Sequence, residues 1–406
     1  MSSIHDIADN LQNNGKLPLV EVHILRPTGG EMYNRNFNGR HKALTVGGTV
    51  RNRFSSQSDK HAIRYQWEDR LNTRTRLLPE IVRQEVKTQL GNTSQEKMDF
   101  ADGLVDALFS SQTKMKKGVG LITAQVHALS EYDVQAITDA IVGEVRNPSH
   151  KNPAASAAEL RTELEKRAGD RKLDAVTAMF GRMSTETLLP AVDSAIQMNH
   201  AYSVNPVAGD YDDFTAVDDY AEKMGIVISE ENAEKSGQKL GAGMMQTTDI
   251  ESNVYYQYAN VCERILFEGL CKGRDIDDPA VIEEALRITK EKTVAYVKDF
   301  IFTLPKAKQN SNASYGVPVC VYITVGTKVY PMTLDRTYEQ AIIGTEENSV
   351  ADQAVPKMLK AVKQAHDGAF AVNDYEGQYW ISDRDDAIPD YLQKISVKDL
   401  AKVLGA

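Results

Sequence analysis

The chain has 406 residues, 42% hydrophobic and 26% charged, with 47 Lys and Arg against 57 Asp and Glu for a formal net charge of -10 at pH 7. That describes a globular protein with room for two or three units of ~100 to 200 residues each. It excludes a uniformly basic nucleic-acid coat, so an acidic polymer would have to be met by a local patch. No apolar run approaches the ~20 residues needed to span a bilayer and MSSIHDIADNLQNNGK holds no apolar signal core, so the expectation is a cytoplasmic chain with no membrane partner.

Leu19 to Leu25 alternates, with Val20, Val22 and Ile24 on one face and Glu21 and His23 on the other, the period of a half-buried strand. Asn34 to Val46 reads as a polar loop, Gly47-Gly48 as a turn, and Thr49 to Phe54 as a short strand entering a helix near Ser55. From Gln66 to Leu173 apolar residues recur at three- and four-residue steps (Val82, Val86, Leu90; Ile137, Ile141, Val145), predicting a helical insertion. The segment RNPSHKNPAASAAEL inside it predicts a surface linker. Strand patterns return at Val192 to Tyr202 and in VYYQYANV, Val254 to Val261. Between them lie an acidic, irregular stretch, VAGDYDDFTAVDDYAEKMG, and the small-residue segment KLGAGMMQTTD; a loop that long is functional or mobile. A helix over Pro279 to Phe302 follows, then a core strand, VPVCVYITV, with Val317, Val319, Val321, Ile323 and Val325 on one face. The order predicts an α+β sheet elaborated by insertions.

The densest chemical signal lies between Arg35 and Arg64. Arg35, Arg40, Lys42, Arg51, Arg53, Lys60 and Arg64 fall there with Asp59 as the only carboxylate. Alternation puts Arg51 and Arg53 on one strand face, and a four-residue step puts Lys60 and Arg64 on one helix face. Ser55-Ser56 suits a helix cap, and a helix start offers amide N–H groups and partial positive charge to a phosphate. Lys60 in the early turns is disfavoured by the helix dipole unless an anion sits nearby. The pattern fits a backbone-phosphate clamp, and it fits equally a capped helix with a solvated basic face.

Enzyme and metal signals are weak. Cys262, Cys271 and Cys320 form no CxxC pair and read as inert buried thiols, and the eight histidines have no metal spacing, so neither metal nor cofactor is expected. Glycine pairs at Gly47-Gly48 and Gly241/Gly243 lack the rest of a phosphate loop or dinucleotide fingerprint. Asp210, Asp212, Asp213, Asp218 and Asp219 could hold Mg²⁺ or form a solvated loop. Tyr255, Tyr256 and Tyr258 could offer stacking surfaces or serve as core, and Lys114, Lys116 and Lys117 read as a solvated loop.

The spacing NRxxxxxxKAxxxGGxxRxRxSSQxxKxxxR, realised as Asn34-Arg35, Lys42-Ala43, Gly47-Gly48, Arg51, Arg53, Ser55-Ser56-Gln57, Lys60 and Arg64, resembles the CasC family, the backbone subunit of the type I-E CRISPR Cascade complex. Further likenesses are FGRM (Phe180 to Met183), VDSAIQMNHA (Val192 to Ala201), DDFTAVDD (Asp212 to Asp219), VYYQYANV and KQNSNAS (Lys308 to Ser314). The resemblance implies an RRM-like (ferredoxin-like) RAMP palm over residues 18–65, 174–200 and 254–345, a helical finger insertion over 66–173, a protruding thumb over 201–253, and a C-terminal helical extension of the palm over 346–406. It implies copies stacked along a CRISPR RNA beside other Cascade subunits, gripping phosphates while the guide pairs with target DNA.

Carried over by position, Arg35, Lys42, Arg51, Arg53, Ser55, Ser56, Gln57, Lys60 and Arg64 would line the RNA groove. Arg182 and Met183 would face a kinked nucleotide, Phe214, Met244 and Met245 would act from the thumb, and Lys308 and Gln309 would join the RNA contacts. Thr49 and Val50 stand where the family often has a basic pair, Asp59 replaces an apolar residue and His61 a common arginine, which lowers the groove's charge. A non-catalytic assembly protein is thus expected. Its rivals are a RAMP ribonuclease using Asp210, Asp212 or Asp213, and a stand-alone single-strand RNA binder.

Overall fold

The strand Leu19–Pro27 lies at the centre of a nine-stranded sheet, paired antiparallel with Val254–Cys262 on one side and Cys320–Gly326 on the other. The computed structural model describes residues 3–67, 71–110, 113–217, 219–224, 242–306 and 308–406. Beyond Cys320–Gly326 come Gly377–Ile381 and, parallel to it, Gln393–Lys394. On the other side Val254–Cys262 carries Ile196–Met198 and Ala201–Ser203, and the latter pairs with Thr49–Phe54, whose hairpin partner Ala43–Val46 forms the far edge. The fold is mixed α+β.

Both faces of this sheet are covered. On one, Val20, Val22, Ile24, Val261 and Ile323 pack with residues of the helices Glu263–Cys271 and Pro279–Phe302. On the other, Leu25, Tyr256, Tyr258, Tyr322 and Trp380 pack with Val355, Met358 and Val362 of the helix Val350–Asp367. Each such aromatic withdraws roughly 150–250 Å² from water, about 4–6 kcal/mol at ~25 cal/mol per Å² before conformational entropy is subtracted. That gain seals in the polar residues between them once they are hydrogen-bonded.

The first strand therefore departs from its predicted half-buried form. Glu21 accepts from the Tyr258 hydroxyl (2.7 Å), the Met332 N–H (2.8 Å) and the Thr324 hydroxyl (3.0 Å). His23 lies 3.0 Å from the Tyr256 hydroxyl and opposite Tyr258 and Tyr322 in the register. Burial pushes its imidazole pKa down to about 3. Tyr255, Tyr256 and Tyr258 are core residues, buried at 1%, 0% and 4% exposure, so the sheet offers no stacking platform there. The strand VPVCVYITV begins only at Cys320, and Val317 is exposed, because the pairing with Leu25 starts at Cys320.

The helical insertion has a core of its own. Val82 and Val86 from Leu78–Leu90, Leu104 and Leu108 from Gln95–Phe109, and Ile137 and Ile141 from Glu131–Arg146 pack with Leu160 and Leu164 from Pro153–Ala168. Half of the predicted linker is thus the start of a helix. Asn152 caps it by accepting the Ala154 N–H, and Pro153 sits in the first turn, where its missing N–H costs nothing. The stretch predicted to be irregular contains an antiparallel ribbon, Tyr211–Val217 with Ala242–Asp249, with a register shift at Ala216/Val217. Asp218 lies outside the described residues, as do the side chains of Lys114, Met244 and Met245. Segment 346–406 is not purely helical: after Val350–Asp367 it supplies the two strands that extend the sheet. Among the described residues no helix is long and apolar enough to cross a membrane.

Candidate nucleic-acid interface

The basic window folds as strand, hairpin turn, strand and helix. Thr49–Phe54 runs into the helix Ser56–Trp67, and Ser55 caps it, its hydroxyl accepting the Ser58 N–H (3.3 Å). Most of the amides at this helix start are already engaged, contrary to the sequence expectation. Asn34 Oδ1 takes the Ser55 N–H (3.2 Å), and His200 Nδ1 takes the Ser56 N–H (3.0 Å). A grip on phosphate would therefore rest mainly on side chains.

Several cations do converge. The Lys42 carbonyl accepts the Arg53 N–H at 2.8 Å, which sets the two residues side by side at the entry to the helix. His200 joins them: burial first, then the neighbouring Arg53 and Lys42 cations, push its pKa below the usual imidazole value. With Nδ1 accepting from Ser56, the neutral ring carries its proton on Nε2. Arg35 and Gln57 are exposed, and Arg35, Arg40, Lys42 and Arg53 form no ion pair with a described carboxylate. One helical turn on, the half-buried Lys60 donates to the Ile196 carbonyl (3.0 Å); burial, then the Arg74 cation, push its pKa down. An anion at this point would relieve that repulsion. Arg64 is buried, 3.1 Å from His61 Nδ1 and 6.0 Å from the Phe180 ring centre, and shares a narrow cleft with Arg74 and Gly181.

Two predicted ligands belong to the interior. Arg51 is fully buried, and its guanidinium donates to the carbonyls of Ser203 (3.0 Å), Val204 (2.8 Å), Tyr338 (3.3 Å) and Glu339 (3.2 Å). It satisfies backbone carbonyls from two segments, of which Val204 also accepts a backbone donor, the Ile342 N–H (2.9 Å). The hairpin turn beside it is equally committed: a Cβ on Gly47, at φ +56°, would meet the Glu339 carbonyl. Arg182 is buried as well, paired with Asp133 (2.5 Å), which also takes Arg171 (3.2 Å), and donating to the carbonyls of Pro190 and Ala128. Its neighbour Met183 is 99% exposed, held outward because Gly181, at φ +69°, lets the chain press against Val192 and Ser194.

On the ribbon, Phe214 is half-buried and lies 5.5 Å from Lys308 Nζ, which also donates to the Thr248 hydroxyl (2.7 Å). Lys308 ties ribbon to sheet domain and adopts a left-handed backbone, φ 49°. Gln309 donates to the Pro305 carbonyl (3.2 Å). Asp212 and Asp213 are exposed, Asp213 accepting from the Thr247 hydroxyl (2.6 Å), and the described residues hold no group of three His, Cys, Asp or Glu placed for a metal ion. His200 and Arg74 escaped the sequence reading. The position of His200 beside Ser56 depends on the pairing of Ala201–Ser203 with Thr49–Phe54, and Arg74 sits on a short strand paired with His127–Ala128 whose placement no local pattern reveals.

A chain titled "CRISPR RNA-guided surveillance complex, pre-nicking" superposes with a TM-score of 0.71 at 21% identity, covering 95% of this chain and 99% of that one. A second, from a "CRISPR RNA-guided surveillance complex", gives 0.63 at 17% identity with the same coverage. These likenesses establish the shared fold. No curated protein matches the chain. The family model described as CT1975-like protein matches residues 20–403, and the chain belongs to that family.

Proposed function

We propose that this chain is the non-catalytic backbone subunit of a type I-E CRISPR Cascade complex, one of several copies laid along a CRISPR RNA in the cytoplasm. In this reading the sheet domain is a RAMP palm of RRM-like ancestry, the helical insertion is the finger and the ribbon is the thumb. The cluster Arg35, Lys42, Arg53, His200 and Lys60 grips phosphates, while Met183 and Phe214 meet bases and the guide itself pairs with target DNA. The observation that carries it is the set of side-chain cations without described carboxylate partners at one helix entry of a chain whose net charge is -10. The family membership and the shared fold with surveillance-complex chains support it.

Many weak grips in series along one strand would produce a tight assembly from a modest single site. The test is the RNA that copurifies when the protein is expressed with a CRISPR array and its partner subunits. Guides of one uniform length are expected; a mixture of cellular RNA would reject the assembly role in favour of a stand-alone binder.

A further inference from the structure

Phe37 is fully exposed, at 108% of its reference area, on a hydrogen-bonded turn. Asn36 donates its N–H to the Arg40 carbonyl (2.7 Å), while its side-chain oxygen accepts the N–H groups of Asn38 (2.9 Å) and Arg40 (3.2 Å). Gly39 closes the turn at φ +80°, and Arg35 bridges to His41 below it. An aromatic side chain on so defined a turn is presented to solvent rather than left there by a slack loop.

The base of this turn is the phosphate cluster itself. Asn34 accepts the Lys42 N–H with its carbonyl and the Ser55 N–H with its side chain, so the turn is anchored to the helix entry. Phe37 stands three residues from that anchor, at most ~10 Å along the chain. Arg35 and Arg40 flank it, both exposed and without a described carboxylate partner. An apolar protein pocket would have to bring acidic groups to meet them, whereas a nucleic-acid strand brings a π-face for the ring and phosphates for the arginines together.

We infer that Phe37 stacks on a base of the single strand whose phosphates the cluster holds, an inference that rests on the RNA-binding reading above. Stacking suits a guide of any sequence because every base has a π-face. The probe is a single-stranded RNA oligonucleotide carrying 2-aminopurine, titrated against the full-length protein stripped of nucleic acid at several salt concentrations. Phe37→Ala should weaken binding about 5- to 150-fold. It should leave the log-log salt slope unchanged and remove quenching of the probe, and Phe37→Trp should restore affinity and quenching. If Phe37→Ala binds and quenches like wild type while Arg53→Ala is weakened, stacking is wrong and the cluster stands. If wild-type protein does not bind the RNA at all, both readings fall. If Phe37→Ala leaves RNA binding intact but lowers self-association in sedimentation, the ring serves a protein contact and the inference is overturned.

Discussion

Arg51 and Arg53 share one face of the strand Thr49–Phe54, yet they serve opposite ends. Arg51 sits where the strand passes under Ser203–Val204 and Tyr338–Glu339, and its guanidinium is consumed by four carbonyls of the protein itself. Arg53 sits where the sheet opens beside Lys42 and His200, with no carboxylate among the described residues to neutralise it. The same division separates Arg182 from Met183. A buried cation supports the backbone that positions the exposed neighbour, and only the neighbour is available to a ligand.

The sharpest break of this comparison is Arg51→Ala. The carbonyls of Ser203, Tyr338 and Glu339 lose their side-chain donor while Val204 keeps the Ile342 N–H; at roughly 1 kcal/mol or more each, the loss should be about 3–5 kcal/mol in denaturant unfolding. Arg51→Lys should rescue little, since one ammonium cannot span the four acceptors. A loss below about 1 kcal/mol would mean that water replaces the guanidinium and that Arg51 is no keystone.

His23 tests the sealed interior by pH. Its folded pKa of about 3 lies below the unfolded ~6.5, so the unfolded chain takes up a proton first and stability falls as pH drops below ~6.5. The loss should approach ~1.4 kcal/mol per pH unit, or about 2 kcal/mol by pH 5. His23→Phe should flatten the curve by that amount. Asp59, pushed up to about 7 chiefly by burial, acts with the opposite sign in both proteins and drops out of the difference. Parallel curves for the two proteins would show that water reaches the ring.

On the open side, Arg53→Ala and Lys42→Ala should leave stability within ~0.5 kcal/mol of wild type while each lowers the log-log salt slope of RNA binding by about 0.7. An unchanged slope would remove that residue from the phosphate contacts. The smallest effect is expected at exposed Asp213, whose side chain meets the Thr247 hydroxyl. Complementary RNA incubated with the assembled complex and Mg²⁺ should stay intact; cleavage that vanishes in Asp213→Ala would revive the ribonuclease reading.

Much of the fold was legible because it is local. The helix Pro279–Phe302 is bounded by Asp278 as its cap and by Pro279 in the first turn, and the strand Leu19–Pro27 announces one apolar face. The finger's helices announce themselves by period. Less legible was the ribbon Tyr211–Val217 with Ala242–Asp249, since neither YDDFTAV nor AGMMQTTD alternates apolar with polar residues.

By itself, then, the sequence determined the central strand, the helical insertion, the helix Pro279–Phe302 and the concentration of positive charge between Arg35 and Arg64, because periodicity and composition are written residue by residue. Only the tertiary structure decided which of those charges reach a ligand. The helix Val350–Asp367 seals a sheet face some 330 residues from the strand it covers, and the carbonyls that claim Arg51 come from two distant segments. Burial and hydrogen-bond satisfaction depend on neighbours in space, which no local window contains.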